Sequence, residues 1–196
     1  MMMMIVATTR MDGTMYLSSI LKCIRGIRNR FLTYIHQSFA YQTHISIDNK
    51  SKKAAVVDPV DVEAIQKAAR DNNAEITTIL TTHSHWDHAG GNLQLVKECS
   101  TIDSVFGGLK DEVPGVTHEV GDGDSLMIGS ATYVKVLFTP CHTPGHFCYY
   151  VDNAHVFTGD TMFVSGAGNF NTGTPEQMTK AFDKILGLPD DTVSIA

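Results

Sequence analysis

Thr81-Thr82-His83-Ser84-His85-Trp86-Asp87-His88-Ala89-Gly90-Gly91-Asn92 is the stretch on which the reading of this 196-residue chain turns. It follows Ile76 to Thr82, a β-branched apolar run that reads as a strand, and it precedes Leu93, Val96 and Lys97, which suit a helix. The strand delivers the chain into a loop with three imidazoles and a carboxylate between His83 and His88. So many polar groups would be costly in a core, whereas a divalent cation wants that ligand set. Alternate side chains of an extended stretch share a face, so His83 and His85 can reach one ion. Asp87 and His88 then turn into the following loop and can serve a second.

Two later clusters join this one. In Thr139-Pro-Cys-His-Thr-Pro-Gly-His146 two prolines and a glycine stiffen a turn at the exit of a strand, and His142 is the ligand candidate. His146 reads first as a structural hydrogen-bonding residue of that turn, with a direct chemical role as the alternative. Cys141 reads as a small buried apolar residue, with soft-metal binding as the alternative. Phe157-Thr-Gly-Asp-Thr161 runs a strand through a glycine to Asp160. Alone, Asp160 is an ordinary turn residue. Beside the other clusters it reads as a ligand whose two oxygens can bridge two ions, as an imidazole cannot.

Around these clusters short strands alternate with helices. Lys53 to Asp58 reads as a buried strand stopped by Pro59, and Asp61 caps a helix through Val62, Ile65 and Ala69 that ends near Asn72. Gly121 to Asp124 is a turn signal, and strands are expected at 131–138, 147–151 and 156–157. Thr174, Pro175 and Gln177 form a capping box ahead of a helix with the stripe Met178, Ala181, Phe182, Ile185 and Leu186. A strand begins at Thr192 and is expected to be unpaired, with an apolar face left open. No repeat or linker divides residues 45–196, which form one domain, whereas 1–44 is an atypical N-terminal segment, a leader or an insertion.

With 43% hydrophobic and 18% charged residues the chain can build a core. No run approaches the ~18 apolar residues of a membrane span, so no membrane partner is expected. The formal charge of −6 is unevenly spread. Residues 1–35 carry five basic residues against Asp12 alone, which leaves ten basic and twenty acidic residues beyond them. That acidic balance excludes nucleic acid as a partner of the body of the protein. Cys23, Cys99, Cys141 and Cys148 form no CxxC pair, which points to a reducing, intracellular compartment. The basic N-terminal stretch resembles a mitochondrial leader. Cytoplasm is the expected location and the mitochondrion the alternative.

Four stretches resemble the metallo-β-lactamase superfamily, and within it the glyoxalase II branch of hydroxyacylglutathione hydrolases. They are Ala54-Ala-Val-Val-Asp-Pro-Val60, Thr81 to Asn92, Thr139 to His146 and Phe157-Thr-Gly-Asp-Thr-Met-Phe-Val164. Asp12-Gly-Thr-Met-Tyr-Leu17 also resembles that branch's first strand motif, which would make 18–44 an insertion. The resemblance runs from about Ile45 to Ala196. It implies an α/β fold, a four-layer αβ/βα sandwich with the metal site at one edge, here without the family's C-terminal helical region.

The resemblance also implies the chemistry. His83, His85 and His142 hold one ion, Asp87 and His88 a second, and Asp160 stands between them. Asp87 and Asp160 carry the catalytic roles, positioning a metal-activated hydroxide that attacks the thioester carbonyl of a 2-hydroxyacyl glutathione. The cofactors are two divalent ions, zinc by default and iron or manganese by similar ligands, the second held weakly. The product pair is a 2-hydroxy acid and glutathione, as in methylglyoxal detoxification, made by a monomer. Where the family has Gly-Lys-Phe-Tyr in its substrate loop, this chain has Gly168-Asn169-Phe170-Asn171, so Asn169, Phe170 and Asn171 are the substrate-contact candidates. Alternatives are a mono-iron persulfide dioxygenase of the same superfamily, or a weak metal binder without turnover.

Overall fold

Local signals set the helices. In the computed structural model, which describes residues 3–4, 20–25, 31–37 and 42–196, Asp61 accepts the Ala64 N–H at 3.0 Å and starts α1, Val62–Asp71. Thr174 and Gln177 close the expected capping box ahead of α4, Pro175–Leu186. Between them lie the short α2, Trp86–Ala89, and α3, Asn92–Glu98. Asp87 and His88 therefore sit on a helical turn, not in an open loop.

Among the described residues the strands form two sheets. The six-stranded sheet contains β1 (Met3–Met4), β9 (Ser125–Ile128), β10 (Thr132–Phe138), β11 (Phe147–Val151), β12 (His155–Phe157) and β13 (Val193–Ile195), in the order β1-β13-β12-β11-β10-β9. The seven-stranded sheet runs in chain order through β2 (Ile20–Arg25), β3 (Phe31–Gln37), β4 (Gln42–Asp48), β5 (Lys53–Val57), β6 (Glu75–Leu80), β7 (Ser104–Gly108) and β8 (His118–Val120). From β5 to β8 its strands are parallel, with helices on the first two crossovers. Segment 1–44 thus supplies β1, β2 and β3, while the Asp12 to Leu17 motif lies outside the described residues.

Strand alternation builds the layers. In β5, Ala55 and Val57 point into a shared core with Val134, Val136, Tyr149, Val151 and Phe157 of the other sheet. Ala54 and Val56 point the opposite way, onto Val62, Ile65 and Ala69 of α1 and Leu95 of α3. Likewise Tyr149 faces the other sheet, whereas Cys148 and Tyr150 pack with Ile185 of α4. The order helix, sheet, sheet, helix is the expected four-layer sandwich. No helix among the described residues is long and apolar enough to cross a membrane.

The final strand corrects the sequence reading. β13 is not unpaired: it pairs in parallel with both β12 and β1, and Ser194 and Ile195 are buried. The reason is backbone saturation, because Ile195 O accepts from Thr158 N at 2.8 Å and Val193 N donates to Ala154 O at 2.8 Å.

Two histidines lie buried between the layers. His44 packs at 5.4 Å against the Phe157 ring, and His155 Nδ1 meets Thr33 Oγ1 of the other sheet at 3.2 Å. Burial lowers both pKa values to about 4. In the unfolded chain they take up protons below about 6.5, but in the folded protein only below about 4, so stability is full above that window and falls as pH drops through it. Urea denaturation at pH 7 and pH 5 should show a lower midpoint at pH 5, and His155→Asn should shrink the difference. An unchanged midpoint in the parent protein would refute this assignment.

Candidate metal centre

The ends of four strands bring the chemistry to one edge of the sandwich. β5 leads to Asp58, β6 to His83, β10 to His142 and β12 to Asp160. Phe147 N donates to Thr82 O at 2.9 Å, which joins the loops of the two sheets.

Three imidazoles converge there. His85 Nδ1 lies 3.0 Å from His83 Nε2 and 3.0 Å from His142 Nε2. His142 Nδ1 faces the Asn169 carbonyl at 2.9 Å. A carbonyl can only accept, so Nδ1 carries the proton and the Nε2 lone pair faces the other two rings. One proton on His85 cannot satisfy both neighbours at once, whereas a cation at their centre satisfies all three. Burial, reinforced by the neighbouring imidazoles, pushes the His83 pKa far below the usual histidine range and keeps the ring neutral, as a ligand must be.

Asp160 joins this triad to a second group. Its Oδ2 lies 3.2 Å from His142 Nε2 and its Oδ1 lies 3.1 Å from His88 Nε2. On the far side of His88, Nδ1 meets Asp58 Oδ2 at 2.9 Å. Burial alone would depress the His88 pKa, but Asp58 and Asp160 more than offset it and raise the pKa to about 10. Burial would likewise raise the Asp160 pKa, yet the His88 hydrogen bond and charge bring it below the usual carboxylate range. The space between these carboxylates calls for positive charge, which a proton on His88 or a metal ion supplies. The donor sets His83, His85, His142 and His83, His88, Asp160 each gather within 4.8 Å. The residues present therefore fit a metal centre.

Asp87 stands apart from both sets. The turn of α2 leaves its side chain 44% exposed, with Oδ2 at 4.0 Å from His88 Nε2. Asn169 meets the centre through its main chain alone, and the residues Asn169, Phe170 and Asn171 are exposed. His146 takes the structural role: its Nδ1 meets Thr139 Oγ1 at 2.9 Å and its Nε2 accepts the Asp160 N–H at 3.2 Å. Burial lowers its pKa to about 3, which keeps Nε2 an acceptor. Gly159, at φ +46°, permits this closeness, since a Cβ there would stand 2.6 Å from Thr82 Oγ1.

Sequence reasoning gave no role to Asp58. Its carboxylate accepts Thr82 N and Thr82 Oγ1, both at 2.8 Å, and so fixes both His88 and the start of the His83 loop. The signal was a carboxylate closing a buried strand ahead of Pro59.

Residues 45–196 match the family described as the Metallo-beta-lactamase superfamily. Over 156 residues the chain is 48% identical to "Hydroxyacylglutathione hydrolase cytoplasmic" of Arabidopsis thaliana, a match spanning 76% of this chain and 60% of that protein. It is 37% identical over 156 residues to "Hydroxyacylglutathione hydrolase-like protein" of Gallus gallus, spanning 76% of this chain and 54% of that one. These similarities support the glyoxalase II branch. The chain thus spans between 54% and 60% of the length of these curated relatives. Among solved structures, ETHE1 from Myxococcus xanthus superposes with a TM-score of 0.71 at 25% identity, over 89% of this chain and 73% of that one.

Asp58→Asn removes the negative charge that orients His88 while keeping the side chain's shape. It should weaken metal binding about 10- to 100-fold, the usual cost of losing a partner behind a ligand. Competition with a chromophoric chelator measures this, and unchanged affinity would show that Asp58 serves only the fold.

Proposed function

We propose that this chain, which belongs to the metallo-beta-lactamase superfamily, hydrolyses S-(2-hydroxyacyl)glutathione thioesters, lactoylglutathione above all, with the aid of two divalent metal ions. The observation that carries the reading is the triad of ring nitrogens from His83, His85 and His142, with Asp160 between it and His88. The 48% identity to a hydroxyacylglutathione hydrolase supports the choice of substrate.

His83, His85 and His142 hold one ion; His88 and Asp160, with Asp87 at the margin, hold the second. Zinc suits the imidazole-rich set, as iron or manganese would. Bound there, the metals supply a nucleophile at neutral pH and stabilise negative charge that develops on the thioester oxygen. The protein's own contribution is orientation. Asn169 O fixes the His142 ring, Asp58 fixes His88, and His146 fixes the main chain of Asp160. Asp160, its pKa held below the usual range, stays ionised at neutral pH and divides its two oxygens between the two halves of the centre.

The two ions bind unequally, because Asp87 is half exposed and His83 belongs to both donor sets. Recognition of the tripeptide falls to the loop of Asn169, Phe170 and Asn171. Hydrolysis releases a 2-hydroxy acid and glutathione, the chemistry of methylglyoxal detoxification. We read the protein as a cytoplasmic monomer, with residues 45–196 as its hydrolase domain and 1–44 as an appended or inserted segment.

Purified protein should release thiol from S-lactoylglutathione, lose that activity to a chelator and regain it on addition of zinc. His85→Ala should lower both metal content and turnover by at least tenfold. Chelator-resistant turnover would sink the proposal, and oxygen consumption with a glutathione persulfide would replace it with the dioxygenase reading. In the same assay Asn169→Lys combined with Asn171→Tyr should lower KM several-fold with kcat little changed. An unchanged KM would remove that loop from the substrate site.

A further inference from the structure

We infer that Asp111 is a positioning residue that sets the His83–His85 loop against the His142 loop, and thereby the separation of the three imidazoles. The inference rests on the metal reading above and concerns a residue that touches no proposed ligand side chain.

Asp111 follows β7, where its N–H donates to Gly108 O at 3.0 Å, and it is 7% exposed. Its Oδ2 accepts the Ser84 N–H at 3.1 Å and the Thr143 hydroxyl at 2.6 Å, and its Oδ1 accepts the Gly145 N–H at 3.0 Å. Ser84 stands between His83 and His85, and Thr143 follows His142. The first loop leaves the seven-stranded sheet and the second joins two strands of the six-stranded sheet. One buried carboxylate thus collects donors from both ligand-bearing loops across the gap between the sheets. The fit is close, since a Cβ on Gly145 would stand 2.5 Å from Asp111 N.

A carboxylate is required by the donor count. All three partners donate, and an ionised carboxylate has acceptor sites on both oxygens. An asparagine amide keeps one accepting oxygen, so its NH2 group would face at least one N–H, and the two loops would separate. Asp48 offers a matched contrast at the opposite edge of the sandwich. It is fully buried and its Oδ2 accepts Ser130 N at 2.6 Å and Ala131 N at 2.9 Å, joining the two sheets through chemistry of the same kind far from the imidazoles.

The test uses the full chain and Co(II) as the probe, because its ligand-field absorption reports the geometry of the ion's surroundings. Relative to the parent protein, Asp111→Asn should bind Co(II) about 10- to 100-fold more weakly and show altered ligand-field bands. Thr143→Val, which deletes one of the three donors, should lie between the two. Asp48→Asn should lower the melting temperature yet leave Co(II) affinity and spectrum unchanged. Parent-like affinity and spectrum in Asp111→Asn would overturn the proposal, as would equal weakening in Asp48→Asn, which would make the effect one of general stability. Should Asp111→Asn fail to fold, Thr143→Val decides: a parent-like spectrum and affinity overturn the proposal, and weakened binding with altered bands supports it. A parent protein that binds no Co(II) at all would overturn the metal reading itself, and this inference with it.

Discussion

The centre depends on the carboxylate of Asp160, whose two oxygens face different imidazoles, His142 at 3.2 Å and His88 at 3.1 Å. These imidazoles come from different sheets, and Asp160 itself follows β12, so one side chain links the two sheets at this edge of the sandwich. Six titratable groups packed this closely are expensive unless opposite charges compensate them. Here imidazoles outnumber carboxylates on the His83 side, and carboxylates enclose His88 on the other. Three imidazoles gather where a cation is needed as a partner, and a ring drawn toward the charged state sits where two carboxylates meet. This asymmetry separates the two halves of the centre more sharply than the ligand types do.

Three of the four imidazoles of the centre are held by the nitrogen that faces away from it. His83 Nδ1 meets Thr82 Oγ1 at 3.1 Å, His142 Nδ1 meets a carbonyl, and His88 Nδ1 meets Asp58. Thr82 and Asp58 are themselves joined by two hydrogen bonds, so His83 and His88 share one support. Such outer partners fix tautomer and ring angle before any ion arrives, which is why their loss weakens binding without removing a ligand. Thr82 and Asp58 are buried just beyond the ends of β6 and β5, so the rigidity of that sheet is passed to His83 and His88.

What the sequence made legible follows from the range of the interactions involved. The caps at Asp61 and Thr174 could be read because their N–H partners lie three residues away. The alternation of Phe147 to Val151 and the convergence of His83 with His85 are equally local. By contrast β7 and β8 are strands of five and three residues without strong alternation, and sheet partners 12 or more residues away define them. The pairing of β13 escaped notice because its partners are β12 and β1, at opposite ends of the chain. Asp87 looked equivalent to its neighbours in the array, but the α2 turn carries it toward solvent. Asp111 has no local signature at all. Its meaning arises only when Ser84 and Gly145, 27 and 34 residues away, are brought to it.

In the loop at 168–171 the backbone and the side chains are under different constraints. Asn169 serves His142 through its carbonyl, and the same oxygen accepts from Asn171 N at 2.9 Å. Gly168 lies against the centre as well, where a Cβ would come within 2.8 Å of His142 Nδ1. The backbone of the loop is therefore constrained by His142, while the side chains of Asn169, Phe170 and Asn171 are exposed and carry none of that constraint. A change from Lys to Asn or from Tyr to Asn at these positions alters an exposed side chain, yet leaves the carbonyl that orients His142 in place. The departure from the glyoxalase II pattern at 169 and 171 thus lies in exposed side chains and leaves the arrangement of the imidazoles untouched.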